Sequence, residues 1–189
     1  MSRSSPEFDR CVFVNCPFDE EYLPLLRPLV FTILAFGLRP RLALERSDSG
    51  ETRITKIVEL ISKSAFGIHD LSRCRARKEG EYYRMNMPLE LGIDLGAKLL
   101  GAKSYASKRI LILEEERYRF QASISDLSNS DIKAHEGKPE EVVRAVRDWL
   151  VQEAKVSDQS ASYVWSQFNF FMAETYDSLK ARNYSDEDI

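Results

Sequence analysis

The chain has 189 residues, of which 43% are hydrophobic and 30% are charged, and its formal net charge is -3 at pH 7. These values predict a globular domain with an ordinary hydrophobic core, and they exclude a disordered or fibrous chain. The slight negative charge argues against a binder of duplex nucleic acid and favours a small anionic ligand, held by local basic stretches such as 73–78.

The cysteines and the apolar runs indicate the cellular compartment in which the protein is expected. Three cysteines, Cys11, Cys16 and Cys74, lack the paired spacing of zinc ligands, and the start of the chain has no apolar signal segment. The apolar runs are well short of the ~20 residues that span a bilayer. We therefore expect a cytoplasmic protein with reduced thiols, no resident metal or cofactor and no membrane contact.

Short apolar runs alternate with helical periodicity along the chain. A strand over 11–15 is followed by a helix over 20–36, which Gly37 caps and which Pro24 and Pro28 can split or delay. The later predicted strands are 39–44, 65–69, 109–113 and a weak one at 131–135. The later predicted helices are 52–64, 87–100, 139–154 and 160–181.

This alternation predicts an α/β fold, a doubly wound parallel sheet of the flavodoxin-like (Rossmann-like) kind, with about five strands in the order 2-1-3-4-5. Residues 1–155 are expected to form that domain. Residues 156–189 are expected to be a helical extension whose aromatic helix packs on the domain or on another copy in a homo-oligomer, with 183–189 frayed. A ligand would bind at the carboxyl ends of strands one and three.

Polar side chains follow the strands at that edge of the sheet. They are Asn15, Cys16 and Asp19 after strand one, Glu45 and Asp48 after strand two, His69, Asp70 and Ser72 after strand three, and Asn86 and Glu90 at the next helix. Glu90 stands between two leucines in the first turn of a helix opened by Pro88, where the helix dipole keeps a carboxylate ionised. Such a carboxylate is a candidate nucleophile.

Three motifs carry a resemblance to a known family. Residues 14–18 (Val-Asn-Cys-Pro-Phe), 68–72 (Ile-His-Asp-Leu-Ser) and 86–92 (Asn-Met-Pro-Leu-Glu-Leu-Gly), in this order, resemble the nucleoside 2-deoxyribosyltransferase superfamily. That superfamily includes deoxynucleoside monophosphate N-glycosidases and grades into TIR-like NAD-cleaving domains. The resemblance covers roughly the first two thirds of the chain.

The resemblance implies an N-glycosidase or glycosyltransferase-like enzyme that cleaves the base–ribose bond of NAD or a (deoxy)nucleotide. It implies Glu90 as nucleophile and Asp70 as the residue that orients or binds the ribose. The residues expected to contact the substrate are Asn15, Pro17, Phe18, Asp19, Glu45, Asp48, His69, Ser72, Arg84 and Asn86. It further implies an effector of bacterial antiphage defence, acting with a partner protein of that system.

Other interpretations remain open at the level of sequence. The family's Asp-Gly is here Asp70-Leu-Ser72 and its Gly-Thr is Asn86-Met-Pro88, which favours the alternative of a catalytically inactive nucleotide-binding, sensing or protein-interaction module. His69, Asp70 or Asp19 could donate a proton to the departing base, but nicotinamide, already cationic, needs no acid. A third interpretation, a receiver-like domain that accepts a phosphoryl group, has less support, because strand one lacks the paired acidic residues that hold magnesium in such a domain.

Overall fold

The described part of the chain alternates parallel strands with helices. A computed structural model of the protein describes residues 7–73, 80, 85–122, 124–127 and 130–185. Its strands are β1 (Cys11–Asn15), β2 (Arg39–Arg41), β3 (Phe66–Asp70), β4 (Arg109–Glu114) and β5 (Lys133–Ala134). Its α-helices are α1 (Leu23–Ala35), α2 (Arg53–Ser62), α3 (Asn86–Leu100), α4 (Pro139–Trp149), which continues as a π-helical turn at Leu150–Ala154, and α5 (Ala161–Ala181).

The sheet is parallel throughout, in the order β2-β1-β3-β4-β5. This confirms the predicted flavodoxin-like α/β fold, its strand order and the helices at the C-terminal end. In the register of β1 and β3, Asn15 lies opposite His69, so the carboxyl ends of these two strands are side by side. The division of the chain near residue 155 stays a prediction.

Hydrophobic side chains cover both faces of the sheet. On one face, Val12 and Val14 of β1 and Ile68 of β3 pack in a core cluster with residues of α1 and α4. On the other face, Phe13 packs with Ile57 of α2, and Ile112 packs with Leu91 of α3. Successive side chains of a strand point to opposite faces of the sheet, and because both faces are covered here, every residue of β1 is buried.

Several boundaries differ from the expected ones. A 3-10 turn at Glu20–Tyr22 precedes α1, which puts Pro24 in the first helical turn, where a proline costs no hydrogen bond. β2 ends at Arg41, because the Glu45 carboxylate accepts a hydrogen bond from the Leu42 N–H (2.7 Å) and folds the chain into a turn. α3 begins at Asn86, so Glu90 is its fifth residue rather than part of its first turn.

A row of buried polar side chains ties α3 to the sheet. The Asn15 amide Nδ2 donates to the Met87 carbonyl (2.9 Å) and lies 3.0 Å from His69 Nδ1. His69 Nε2 lies 3.0 Å from Asp94 Oδ2, and Lys108 Nζ lies 3.1 Å from Asp94 Oδ1. We call Asn15, His69, Asp94 and Lys108 the α3 anchor.

The hydrogen bonds of the α3 anchor assign the protons of His69. Because Asn15 Nδ2 can only donate, His69 Nδ1 accepts, and His69 Nε2–H donates to Asp94. Burial acts to raise the pKa of Asp94, but His69 and Lys108 outweigh it and lower that pKa. Burial lowers the pKa of Lys108 against the attraction of Asp94. Asp94 therefore sits as an ionised group between the His69 N–H, which donates to Oδ2, and the Lys108 ammonium, which pairs with Oδ1 by charge and donates its hydrogen bonds to backbone carbonyls.

Gly67 of β3 makes room for Asp94. A Cβ atom on Gly67 would lie 2.2 Å from Asp94 Oδ2 and 3.0 Å from His69 Nε2. Any side chain at this position would push Asp94 away from His69. The glycine is therefore required by close approach and not by its backbone angles.

Gly67→Ala should lower the free energy of unfolding by about 2–4 kcal/mol, since it overpacks the core and displaces a buried carboxylate. Gly96→Ala is the matched control, because a Cβ at this α3 position meets nothing within 4 Å, and it should raise stability by about 0.5–1 kcal/mol. Urea denaturation of both variants measures the difference. Equal stability of the two would contradict the role given to Gly67.

Candidate functional site

Side chains from β1, β3 and α3 approach one another at the carboxyl ends of β1 and β3. The thiol of Cys16, directly after β1, is 1% exposed. Its pKa is raised by burial and then by the nearby carboxylates of Asp70, Glu90 and Asp19. The two residues predicted to be catalytic, Asp70 and Glu90, therefore both lie near this thiol, which stays protonated and unreactive. They approach it from different faces of the sheet, because Asp70 contacts Tyr22 on the face covered by α1, whereas Glu90 belongs to α3 on the other face.

Glu90 is a buried carboxylate with few partners. It is 5% exposed, and among the described residues its charged neighbour is Arg53, whose Nη2 lies 3.8 Å from Glu90 Oε1. That distance is an ion pair but not a hydrogen bond. Burial raises the pKa of Glu90, and the attraction of Arg53 opposes the rise.

Asp70 has the opposite environment. It is fully buried, and its Oδ1 accepts a hydrogen bond from the Ser72 N–H (2.8 Å). Its Oδ2 accepts from the Tyr22 hydroxyl (2.5 Å) and lies 3.1 Å from His135 Nε2. Burial acts to raise the pKa of Asp70, but the interactions with His135, Ser72 and Tyr22 lower it. Both oxygens of Asp70 are thus occupied by donors of the protein itself.

His135, which directly follows β5, has a fixed tautomer. Its Nδ1 accepts a hydrogen bond from the Gly137 N–H (3.0 Å), so Nε2 carries the proton and faces Asp70 and Ser72 Oγ (3.0 Å). In a Ser-His-Asp triad the serine and the carboxylate contact opposite nitrogens of the ring. Here both contact Nε2, so His135 cannot take a proton from Ser72, and this cluster is no hydrolytic triad.

Two arginines complete the polar groups around Asp70. Arg119 pairs with the buried Glu114 at the end of β4 and donates to the Ser72 carbonyl (2.8 Å). Burial raises the pKa of Glu114, and Arg119 opposes the rise. Arg73 binds Asp19 (3.1 Å) and Glu21 (2.9 Å). These contacts hold the loops after β1, β3 and β4 together.

The remaining predicted site residues are placed differently. Glu45 binds Arg41 (3.0 Å), and Asp48 accepts from the Gly50 N–H (2.8 Å), so the described contacts of both carboxylates are within their own loop. Phe18 is half-buried between two core clusters, directly after the buried Pro17. Asn86 is the exposed first residue of α3. Arg84 lies outside the described residues.

Sequence reasoning missed four residues of this region. They are Tyr22, Glu114, Arg119 and His135. His135 and Glu114 stand at the carboxyl ends of β5 and β4, so the rule that selected His69 and Asp70 would also have selected them. Nothing in the local pattern indicates that Tyr22, at an amphipathic helix start, turns its hydroxyl to Asp70.

The described ranges contain no group of three His, Cys, Asp or Glu residues arranged to hold a metal ion. Within the same residues, every helix is too short or too polar to cross a membrane. Comparisons of the chain with protein-family models, with curated proteins and with solved structures gave no match.

Asp70→Asn should lower the free energy of unfolding by about 3 kcal/mol at pH 7, because its amide would turn an N–H donor toward donors that now meet a carboxylate. The pKa of Asp70 is lower in the folded state than in the unfolded state. Its ionised form therefore stabilises the fold above the unfolded pKa, and this contribution is lost as the pH falls through the folded pKa.

Urea denaturation from pH 7 down to pH 3 measures this effect. The difference in free energy of unfolding between wild type and variant should become smaller below about pH 4. Asp48→Asn is the control, because Asp48 is exposed on its loop, and it should change stability by less than about 0.5 kcal/mol. A constant gap across the pH range would count against an ionised Asp70.

Proposed function

We propose that this chain cleaves the N-glycosidic bond of NAD or of a related (deoxy)nucleotide, with the Glu90 carboxylate as nucleophile. The observation that carries the proposal is the state of Glu90, which is buried beside the carboxyl ends of β1 and β3 and has no hydrogen-bond donor among the described residues. The resemblance of the three motifs supports the same role.

The environment of Glu90 suits attack on an anomeric carbon. Cleavage of an N-glycosidic bond passes through an oxocarbenium-like state, which a carboxylate on one face of the sugar stabilises. A carboxylate without hydrogen bonds has lone pairs available for that contact, and burial removes the water that would weaken it. Arg53, 3.8 Å away, favours the ionised form.

The contacts of the candidate proton donors favour a substrate with a cationic leaving group. His69 Nε2–H is directed to Asp94, and Asp70 is an ionised acceptor. Asp19 pairs with Arg73. Since these three candidates for the proton donor are engaged, the substrate that fits best is one whose base departs without protonation. A pyridinium nucleotide such as NAD has this property, whereas a purine or pyrimidine deoxynucleotide does not.

In this mechanism Asp70 acts as a positioning residue. It ties Tyr22, Ser72 and His135 together and so shapes the loops that would receive the ribose. Pro17 and Phe18 would form a wall of the pocket. A role in antiphage defence, with a partner protein, rests on the resemblance alone.

Glu90→Gln should lower base release by at least about 10³-fold, because an amide cannot form a glycosyl ester. Chromatographic detection of free nicotinamide or free base measures the loss, with NAD and a panel of deoxynucleotides as substrates. Glu45→Gln is the control and should retain activity, since Glu45 binds Arg41 on the surface. Undiminished release by Glu90→Gln would refute the assignment.

The same variant should be as stable as wild type, or more stable, at pH 7. The pKa of Glu90 is raised in the folded state, so its ionisation costs stability once the pH exceeds the unfolded pKa, and glutamine avoids this cost. Thermal denaturation of both proteins at pH 7 checks the sign. A clear loss of stability would show that Glu90 is a structural ion-pair partner.

The second candidate function is a binding module without turnover. The observation that favours it is that Asp70, His69 and Asp19 are all engaged by protein groups. In that case NAD or a deoxynucleotide should raise the melting temperature of wild type and of Glu90→Gln equally, with no base released. Stabilisation together with release by wild type alone would exclude it.

A further inference from the structure

An apolar groove of about 540 Å³ runs between α1 and α5, on the face of the sheet opposite α3. Its lining includes Val30, Phe31 and Leu34 of α1, and Phe171, Met172 and Leu179 of α5. The Phe31 ring contacts the rings of Phe168 and Phe171 at centroid distances of 5.5 Å, and these contacts hold the two helices together. This feature is independent of the proposed function.

The groove leaves large side chains in solvent. Leu34 is 56% exposed, Phe171 is 49% exposed and Tyr176 is 43% exposed. Single exposed hydrophobic residues are common, but a contiguous set of this kind marks an interaction surface. Arg27 is the charged residue among those that line the groove.

The composition of α5 also indicates a covered helix. Residues 161–173 contain no charged side chain. In α5, Val164 and Phe168 are buried, whereas Phe170 and Phe171 are 59% and 49% exposed. An uncharged stretch of helix with exposed aromatic side chains is typical of a surface that another element covers.

The exposed area matches what a second copy of the chain would cover. Leu34, Phe171 and Tyr176 each leave roughly 100 Å² exposed, and the half-buried side chains beside them bring the apolar patch to roughly 500 Å². Two such patches packed face to face would remove roughly 1,000 Å² from solvent, which is the lower limit of a specific interface.

Self-association also fits the charge of the surface. A foreign partner is usually selected by complementary charges, and here one arginine is the charged lining residue. A two-fold interface uses the same patch twice and needs complementary shape alone. We infer that two copies of this chain associate through their α1–α5 grooves across a two-fold axis, with the two helix pairs stacked as a four-helix layer.

Adjacent phenylalanines of α5 supply a matched test. Phe171 lines the groove, whereas Phe170, which is similarly exposed, does not. Sedimentation velocity over a concentration series should show a dimer for wild type with a Kd in the micromolar range. Phe171→Glu should weaken the dimer at least about 100-fold, because the two-fold axis introduces the buried charge twice, and Phe170→Glu should change the Kd by less than about threefold.

Leu34→Glu, on α1, provides a second variant and should match Phe171→Glu, with circular dichroism confirming that each variant is folded. A wild type that stays monomeric at high micromolar concentration would overturn the inference. Dimers of unchanged affinity in both groove variants would also overturn it. Loss of the dimer in Phe170→Glu alone would overturn it as well, since it would place the interface on a side of α5 that does not line the groove.

Discussion

The ionised carboxylate of Asp94, buried between His69 and Lys108, is the interaction on which the arrangement of the site depends. A charge in the interior is tolerated only with good partners. Asp94 Oδ2 faces the His69 N–H as a hydrogen-bond donor, and Asp94 Oδ1 is paired by charge with the Lys108 ammonium at 3.1 Å. Through these contacts α3 is fixed on the sheet at Asp94, and the Asn15 amide fixes it again at the Met87 carbonyl. Glu90 lies between the two fixed points, one helical turn before Asp94 and on the same side of α3.

Two buried carboxylates near the strand ends, Asp70 and Glu90, have opposite environments. Asp70 receives hydrogen bonds on both oxygens and its pKa is lowered, whereas Glu90 receives none from the described residues and its pKa is raised. Environments that separate the pKa values of neighbouring acids are typical of functional sites. Asp70 joins the loops after three strands, and this leaves Glu90 as the carboxylate whose lone pairs are available.

The strand order and the main helices followed from the sequence, because the alternation of apolar runs and helical periodicity restricts the topology strongly. The pairing of polar residues did not follow. His135 contacts Asp70 although the two residues are 65 positions apart in the sequence. A local sequence pattern contains no information on a contact between residues so far apart in the chain. Lys108 stands just before β4, where a lysine is usually exposed, yet it is fully buried because its ammonium donates to the Ile61 carbonyl and faces Asp94.

The most direct test of Glu90 as a nucleophile is to trap the ester it would form. A substrate analogue with fluorine at the 2-position of the sugar slows the breakdown of a glycosyl-enzyme, so that mass spectrometry of the digested protein can locate it. We predict that the mass of the sugar is added to the peptide that contains Glu90, with one equivalent of base released. Release of base without such an adduct, or an adduct on another residue, would contradict the assignment.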